Sequence, residues 1–465
     1  MARLISLKVE HYKGFFDEQT IEFAEPNGNA GSGLTLIVGP NNTGKTTVIE
    51  SLLLKGHEKF KETERHGNTS PIIQITSSEG CCRFSKYENG AGIRVEGRQD
   101  IIFEVIQSRR FWGHYFNEQL NNKELAILSA QESSRRNENG LDIAGIFKYI
   151  NSGSEKKNKF NEFMKELVPS FTNWTIDAND RGDYVKYESL SCDHHANILG
   201  EGMISLFRIC AHLVNQNDES VLIIDEPELS LHPTAQKSLS NILSSASSNR
   251  QIILCTHSPY FANWEDLTNG AKFIRLNKVA DRQCEVFSLN NESKYSNFIG
   301  NNINEWQKPQ ILDVVAKEIL FTEKILFVEG QEDVGLIRKW LKENKKEINF
   351  DIFGYGVGGY SNMSMFLSMA KDLGLGKVAA LYDSGPDADL HFEEDEKKYP
   401  DYCFEKLPTS DIRDKKVREN PKRCLDCEHN SSAKIGMFNV HGEIKEEYRK
   451  EMNSIEDNFI DYFSK

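Results

Sequence analysis

The chain has 465 residues, more than one hydrophobic core normally organises, so two domains are expected; 38% hydrophobic and 27% charged residues are ordinary for a globular protein. A formal net charge of −14 argues against a chain that coats nucleic acid indiscriminately, although a local basic groove on an acidic body is compatible with DNA. No stretch reaches the roughly 20 apolar residues of a membrane span, and the N-terminus lacks a signal-peptide core. Together with nine cysteines that follow no disulfide framework, this gives the cytoplasm as the expected location.

Leu4–Glu10 alternates apolar and polar residues like a half-buried strand, with Thr20–Phe23 as its hairpin partner. After the Gly/Asn cluster at Asn27–Gly33 come an apolar strand, Leu34–Val38, and a helix, Thr46–Leu54. Residues 70–105 read as short strands with Gly-rich turns. Residues from about 115 to 170 turn polar and helical, an inserted subdomain and possible dimer contact; Pro169 closes the helix at Asn158–Leu167. A helix at Met203–Leu213, a strand at Val221–Asp225, a helix at His232–Ala246 and a strand at Gln251–Thr256 follow. This alternation predicts a parallel α/β sheet.

The stretch 280–318 is irregular, and the domain boundary is expected near 305–320. A second α/β unit then reads as strand 324–328, helix 333–343, strand 349–353, helix 361–373 and strand 377–383. The assignment is therefore 1–310 for the first domain and 320–465 for the second. Basic stretches at Arg109 and Arg110, Lys156–Lys159 and Lys415–Arg423 are each compatible with an ordinary solvated face. Cys424 and Cys427 have CxxC spacing near His429 and Cys403, but a zinc site needs a second ligand pair, so reduced cysteines are the favoured reading.

Gly39-Pro-Asn-Asn-Thr-Gly44-Lys45-Thr46 is a complete GxxxxGK[ST] match between a predicted strand and a predicted helix. Its glycines let backbone N–H groups wrap phosphates at a helix N-terminus. Gly39, Asn42, Gly44, Lys45, Thr46 and Thr47 are thus candidate ATP-binding residues, with Lys45 on the β/γ-phosphates and Thr46 on Mg²⁺. The strand Val221–Asp225 delivers Asp225 to the same magnesium and Glu226 to the attacking water. His257, after the next strand, is placed as a γ-phosphate switch.

Asp225-Glu226-Pro227-Glu228, Leu231-His232-Pro233 and Thr256-His257-Ser258-Pro259 together resemble the ABC-type ATPases, and among them the ATPase of the OLD (overcoming lysogenization defect) nucleases. The resemblance implies a nucleotide held between two subunits, with a signature loop donated in trans. The best match is Leu199-Gly200-Glu201-Gly202-Met203 ahead of a helix. Gly200 stands where serine is usual, and Gly202 keeps the close backbone approach. Lys13, in Tyr12-Lys-Gly-Phe15, matches a phosphate-touching basic residue of related ATPases and equally a solvated lysine.

In the second domain, Ile325–Glu329 is a buried strand ending in Glu329-Gly330, with Asp333 opening a helix; Ala379–Asp383 is a second strand ending in an acid, followed by Asp387 and Asp389. Acids gathered at adjacent parallel strand ends suit divalent-metal binding, and capping of loops is the alternative. This order, with the Gly-rich loop Gly354–Gly359, is similar to the TOPRIM domain, and ATPase followed by TOPRIM covers nearly the whole chain. The resemblance implies metal ligands at Glu329, Asp333 and Asp383. Gly385 takes the place of the second acid of the usual DxD, with Asp387 or Asp389 as its displaced substitute. Lys434 is the candidate for stabilising the cleaved phosphate. Such proteins imply ATP-regulated, Mg²⁺- or Mn²⁺-dependent DNA cleavage in antiphage defence, as homodimers or larger homo-oligomers. Some act with a helicase-like protein, others with a retron reverse transcriptase and its RNA–DNA product. A scaffold that holds and releases an effector, its TOPRIM domain inert, is the alternative; a transporter ATPase is the weakest reading.

Overall fold

The computed structural model describes residues 2–54, 60, 69–87, 92–98, 100–108, 143–180, 182–190, 192–195, 200–215, 220–279, 283–289, 295, 297–298, 314–409, 412, 437 and 443–464. Two compact units emerge, Met1–Ser296 and Asn297–Lys465. The division falls before the stretch 305–320 where the sequence suggests a boundary.

The first unit is organised by a six-stranded sheet in the order β14-β13-β3-β12-β11-β7, formed by β3 (Leu34–Val38), β7 (Ile102–Ile106), β11 (Ser220–Asp225), β12 (Ile252–Cys255), β13 (Lys272–Val279) and β14 (Gln283–Leu289). Every pairing is parallel except the β13–β14 hairpin, and in the chain α5 (Pro233–Ala246) lies between β11 and β12 and α6 (Trp264–Asn269) between β12 and β13. Central β3 is buried at all five positions, as expected for a parallel strand covered on both faces. The irregular reading of 280–318 is corrected here: Gln283–Leu289 pairs with β13 along its length, with Cys284 and Leu289 buried.

A second, antiparallel sheet in the order β2-β1-β4-β5-β6 comprises β1 (Leu4–Glu10), β2 (Gln19–Glu22), β4 (Ile72–Ser77), β5 (Gly80–Lys86) and β6 (Ile93–Gly97). Its apolar face (Leu4, Leu7, Val9, Ile73, Ile75 and Phe84) joins one core with Ile37 of β3 and Val48 of α1 (Lys45–Leu52). Burying such side chains contributes roughly 1.5–3 kcal/mol each.

A three-stranded antiparallel sheet, β8 (Phe171–Asn179), β9 (Gly182–Ser189) and β10 (Cys192–His195), is absent from the sequence reading. Its strands are mostly polar, with only Phe171, Trp174 and Val185 of β8 and β9 buried, so alternation is weak. The described part of the 115–170 segment forms α2 (Ile143–Ser152) and α3 (Ser154–Leu167). Phe147 and Phe160 from these helices pack with Trp174 and with Phe207 of α4 (Glu201–Val214), ring centroids 5.1–6.0 Å apart. This portion is built into the core rather than projecting from it.

The second unit carries an all-parallel sheet in the order β16-β15-β17-β18: β15 (Lys324–Val328), β16 (Asp351–Ile352), β17 (Lys377–Tyr382) and β18 (Cys403–Lys406). Its helices include α8 (Gln331–Glu343), α9 (Tyr360–Asp372), α10 (Pro386–Lys398) and α11 (Glu446–Ser464), after the short α7 (Val314–Lys317). Met452, Ile455, Phe459 and Phe463 of α11 close one core with Trp340 and Leu341 of α8.

At the edge of the six-stranded sheet, Glu104 of β7 gathers a buried polar group. Its carboxylate lies 3.2 Å from His212 Nδ1 and 3.3 Å from Arg250 Nη2, and accepts the Ser220 hydroxyl at 2.6 Å. Burial alone would raise its pKa. The His212 hydrogen bond, the Arg250 charge and the Ser220 hydroxyl outweigh it and hold the carboxyl at about 2. Because the folded-state pKa is depressed, the stabilisation is present above the usual carboxylate pKa of ~4.5 and is lost as pH falls toward 2. Glu104→Gln should lower stability by on the order of 1–3 kcal/mol at neutral pH. In urea unfolding, the gap between the variant and the parent should close across that acidic window.

Candidate nucleotide and metal sites

In the first unit, β3 runs directly into the GxxxxGK[ST] loop and α1. The loop's backbone depends on left-handed residues: Gly39 has φ 147°, Asn42 φ 64° and Gly44 φ 101°. A Cβ at Gly39 would lie 2.2 Å from the Leu276 carbonyl oxygen, and one at Gly44 3.2 Å from the Phe15 ring. Gly39 therefore requires glycine for space as well as conformation, and Gly44 requires it for conformation. Thr43 Oγ1 donates to the Pro40 carbonyl at 2.8 Å, while Lys45 Nζ donates to the carbonyls of Gly39 (2.8 Å) and Pro40 (2.9 Å). The lysine is thus curled into the loop that would hold the phosphates. Burial lowers its pKa, opposed by the nearby Cys255, Asp225, Glu226 and Glu228.

Parallel pairing sets Asp225 opposite Cys255, and Cys255 opposite Ile37, two residues before Gly39. Asp225 is therefore level with the start of the phosphate loop. Glu226 adopts φ 49°, and its N–H donates to the Cys255 carbonyl at 2.7 Å. Burial and then the Lys45 charge lower the His257 pKa, partly offset by Glu228 and Glu226, which favours a neutral imidazole at physiological pH. Thr46 is half-buried in the first turn of α1, Thr47 is buried and Asn42 exposed. Lys13 forms an ion pair with Glu50.

Glu201–Met203 starts α4. A Cβ at Gly202 would lie 2.4 Å from the Ser230 carbonyl oxygen, so its close approach is to the chain's own turn after β11. Glu228 had no individual role in the sequence reading, where it appears only within a motif. Here its two carboxylate oxygens accept the Thr256 hydroxyl at 2.6 Å and the His257 N–H at 2.7 Å. An acid three residues beyond Asp225 was visible, but the loop it meets follows the neighbouring strand β12, 28 residues on in the chain.

In the second unit, Glu329 follows β15 and Asp383 follows β17, so parallel pairing brings the two acids to adjoining strand ends. The Asp383 N–H donates to Glu329 Oε1 at 2.9 Å and the Tyr360 N–H to Oε2 at 3.2 Å. Burial raises the Glu329 pKa against these backbone hydrogen bonds and the His391 charge. The Glu329 carbonyl accepts the N–H groups of Gly358 and Gly359, both at 2.9 Å, which folds the Gly-rich loop over the strand end. Asp333 Oδ2 accepts the Gly330 N–H at 2.7 Å and so caps α8. Asp387 is exposed in the first turn of α10, and Asp389 pairs with Lys406 at 2.7 Å. Among the described residues, no three His, Cys, Asp or Glu side chains form a group able to hold a metal. Lys434, Leu199, Cys424, Cys427 and His429 lie outside the described residues, as do Arg109, Arg110 and Lys415–Arg423.

Residues 109–263 match the family model described as "AAA domain, putative AbiEii toxin, Type IV TA system", and residues 2–61 match another AAA domain model. The chain is 23% identical to the Septu protein PtuA of Bacillus thuringiensis over 268 residues, 50% of this chain and 68% of that protein. It is 30% identical to the OLD nuclease of Thermus scotoductus over 159 residues, 33% of this chain and 28% of that protein. Identity to the endonuclease GajA of Bacillus cereus is 27% over 172 residues, 37% of this chain and 27% of that protein. The chain thus spans about two thirds of PtuA but little more than a quarter of the other two. A Pyrococcus furiosus Smc head domain superposes with a TM-score of 0.44 at 13% identity, covering 66% of this chain and all of that one. The phosphate loop, the parallel sheet that presents it and the AAA domain matches define the first unit as a P-loop ATPase domain. Over about a third of its length the chain is similar to proteins named OLD nuclease and endonuclease GajA, and it carries matches to two AAA domain models.

Three substitutions check this geometry. Lys45→Ala should weaken binding of a fluorescent ATP analogue by about tenfold or more, through loss of a charge-assisted phosphate contact. In the second unit, a Cβ at Gly356 (φ 73°) would lie 2.7–2.8 Å from the Gly330 backbone, whereas Gly359 (φ 109°) has open space around it. Gly356→Ala should therefore cost more stability in urea unfolding than Gly359→Ala, by about 2 kcal/mol.

Proposed function

We propose that the chain is an ATP-regulated, divalent-metal-dependent DNA endonuclease of the OLD type, acting in antiphage defence as a homodimer or larger homo-oligomer. The observation that carries the nuclease reading is the meeting of Glu329 and Asp383 at adjoining parallel strand ends, through the Asp383 N–H to Glu329 Oε1 bond.

The donor set fits a magnesium ion. Magnesium prefers oxygen ligands and keeps several waters, so one or two protein carboxylates plus substrate phosphate suffice. Glu329 and Asp383 would hold it, with Asp387 as a further exposed acid on α10, and Mn²⁺ fits the same donors. When bound, the metal would supply Lewis acidity at the phosphodiester. The chain's part is to orient the ligands. The Tyr360 and Asp383 amides fix the Glu329 carboxylate, and Asp333 holds the helix start beside it. Asp389 is a weaker candidate ligand because Lys406 engages it.

In the first unit, the loop Gly39–Thr46 would wrap the ATP phosphates, with Lys45 leaving its carbonyl partners for the β/γ-phosphates. Asp225 and Thr46 would hold the accompanying magnesium, and Glu226 would polarise the water. Gly202, whose lack of a side chain already serves contact with the Ser230 carbonyl of its own chain, is given no separate role toward the nucleotide of a second copy. The scaffold alternative keeps one supporting observation, the commitment of Asp389 to Lys406 and of Asp333 to its helix cap.

Cleavage of supercoiled and linear DNA with Mg²⁺ or Mn²⁺ decides between them. Glu329→Ala should reduce cutting by at least about 100-fold with ATP turnover retained, and Lys45→Ala should change cutting in a direction that reports how ATP gates it. ATP turnover with no cutting under either metal would favour the scaffold reading.

A further inference from the structure

We propose that Glu228 is a positioning residue of the ATPase site, which fixes the backbone of the switch histidine, His257, from the turn that follows Asp225. The proposal rests on reading the first unit as an ATPase.

Glu228 spends both carboxylate oxygens on two consecutive residues. Oε2 accepts the Thr256 hydroxyl at 2.6 Å and Oε1 accepts the His257 N–H at 2.7 Å. Charge-assisted bonds of this length are about twice as strong as neutral ones, and two from one rigid carboxylate define the orientation of the peptide between them. Thr256 is fully buried, and its Oγ1 also accepts the Ser258 N–H at 3.0 Å. The Thr256 N–H donates to the Ile37 carbonyl at 3.1 Å, which ties the loop to β3 two residues before Gly39.

The far side of the switch loop returns to the same segment. Ser258 Oγ donates to Gln236 Oε1 at 2.6 Å, and Gln236 Nε2 donates to the Leu231 carbonyl at 2.9 Å. The turn itself holds two left-handed non-glycine residues, Glu226 (φ 49°) and Ser230 (φ 60°). Such a conformation is unfavourable for a residue with a side chain, and persists where surrounding contacts over-determine it. Ser230 Oγ donates to Glu201 Oε2 at 3.0 Å, and its carbonyl covers Gly202, so the turn also touches the start of α4.

The division of labour follows from these contacts. Glu226, next to Asp225, keeps the role of polarising water. Glu228 is directed at the loop and not at the reacting atoms.

The test compares Glu228→Ala, Glu228→Gln, His257→Ala and the double variant Glu228→Ala/His257→Ala in the full chain. Glu228→Ala should lower ATP turnover by about 100-fold, as for a misplaced catalytic group, with KM within about threefold. Glu228→Gln, which keeps one oxygen acceptor, should recover part of the loss. In the His257→Ala background, Glu228→Ala should cost less than about twofold more, because both changes remove the same function. Hydrogen exchange of the 254–261 peptide should accelerate in Glu228→Ala, while exchange of the 36–48 peptide stays as in the parent. Additive losses in the double variant, or unchanged exchange at 254–261, would overturn the proposal. A parent chain that binds ATP without hydrolysing it would defeat the ATPase reading, and the exchange comparison would still decide the positioning role.

Discussion

Parallel pairing of β11, β12 and β3 is the constraint on which the nucleotide site depends. In a parallel ladder all strand ends of one polarity lie at one edge, so Asp225, Cys255 and Ile37 are level by register rather than by any side-chain contact. The residues proposed to meet the nucleotide or its attacking water then follow within a few positions: Gly39–Thr46 after β3, Glu226 after β11, and His257 after β12. A slip of one residue in either pairing would turn Asp225 or Cys255 to the opposite face. The apolar, fully buried β3 and the four buried residues of β12 guard against such a slip.

The second unit also gathers its polar residues at the ends of parallel strands. Its strands deliver carboxylates where the first unit delivers a glycine loop, and the neighbouring backbone supplies amides that orient the acid. A buried carboxylate needs such donors, since burial alone pushes it toward the neutral form. The contrast with Asp389 is instructive. It sits on a helix and meets a lysine from β18, so a salt bridge already satisfies it.

Much of this was legible in the sequence where local pattern and function coincide. The phosphate loop carries its own glycine spacing, and the apolar runs before Asp225, Glu329 and Asp383 read as buried strands. The polar β8–β10 sheet was not legible, because one-sided burial of a few aromatic residues leaves little alternation to detect. Nor was α10, whose 13 residues bury only Ala388 and Asp395 and so show no strong apolar stripe. Glu228 was visible as a letter in a motif, but its work depends on a loop 28 residues away in the chain. The Asp389–Lys406 pair escaped for the same reason.

The contact between Gly356 and Gly330 carries a consequence for redesign. Two chain segments are clasped backbone to backbone with no side chain in between, so their spacing is set by the backbone itself. Glu329 and Asp333 are tied into that frame by their carboxylates, whereas Asp383 joins it through its backbone N–H, so the side chain at 383 can be exchanged for another donor type with that bond kept. The unit is in that sense a mount with one interchangeable fitting, suited to asking which donor chemistry a given cation will accept.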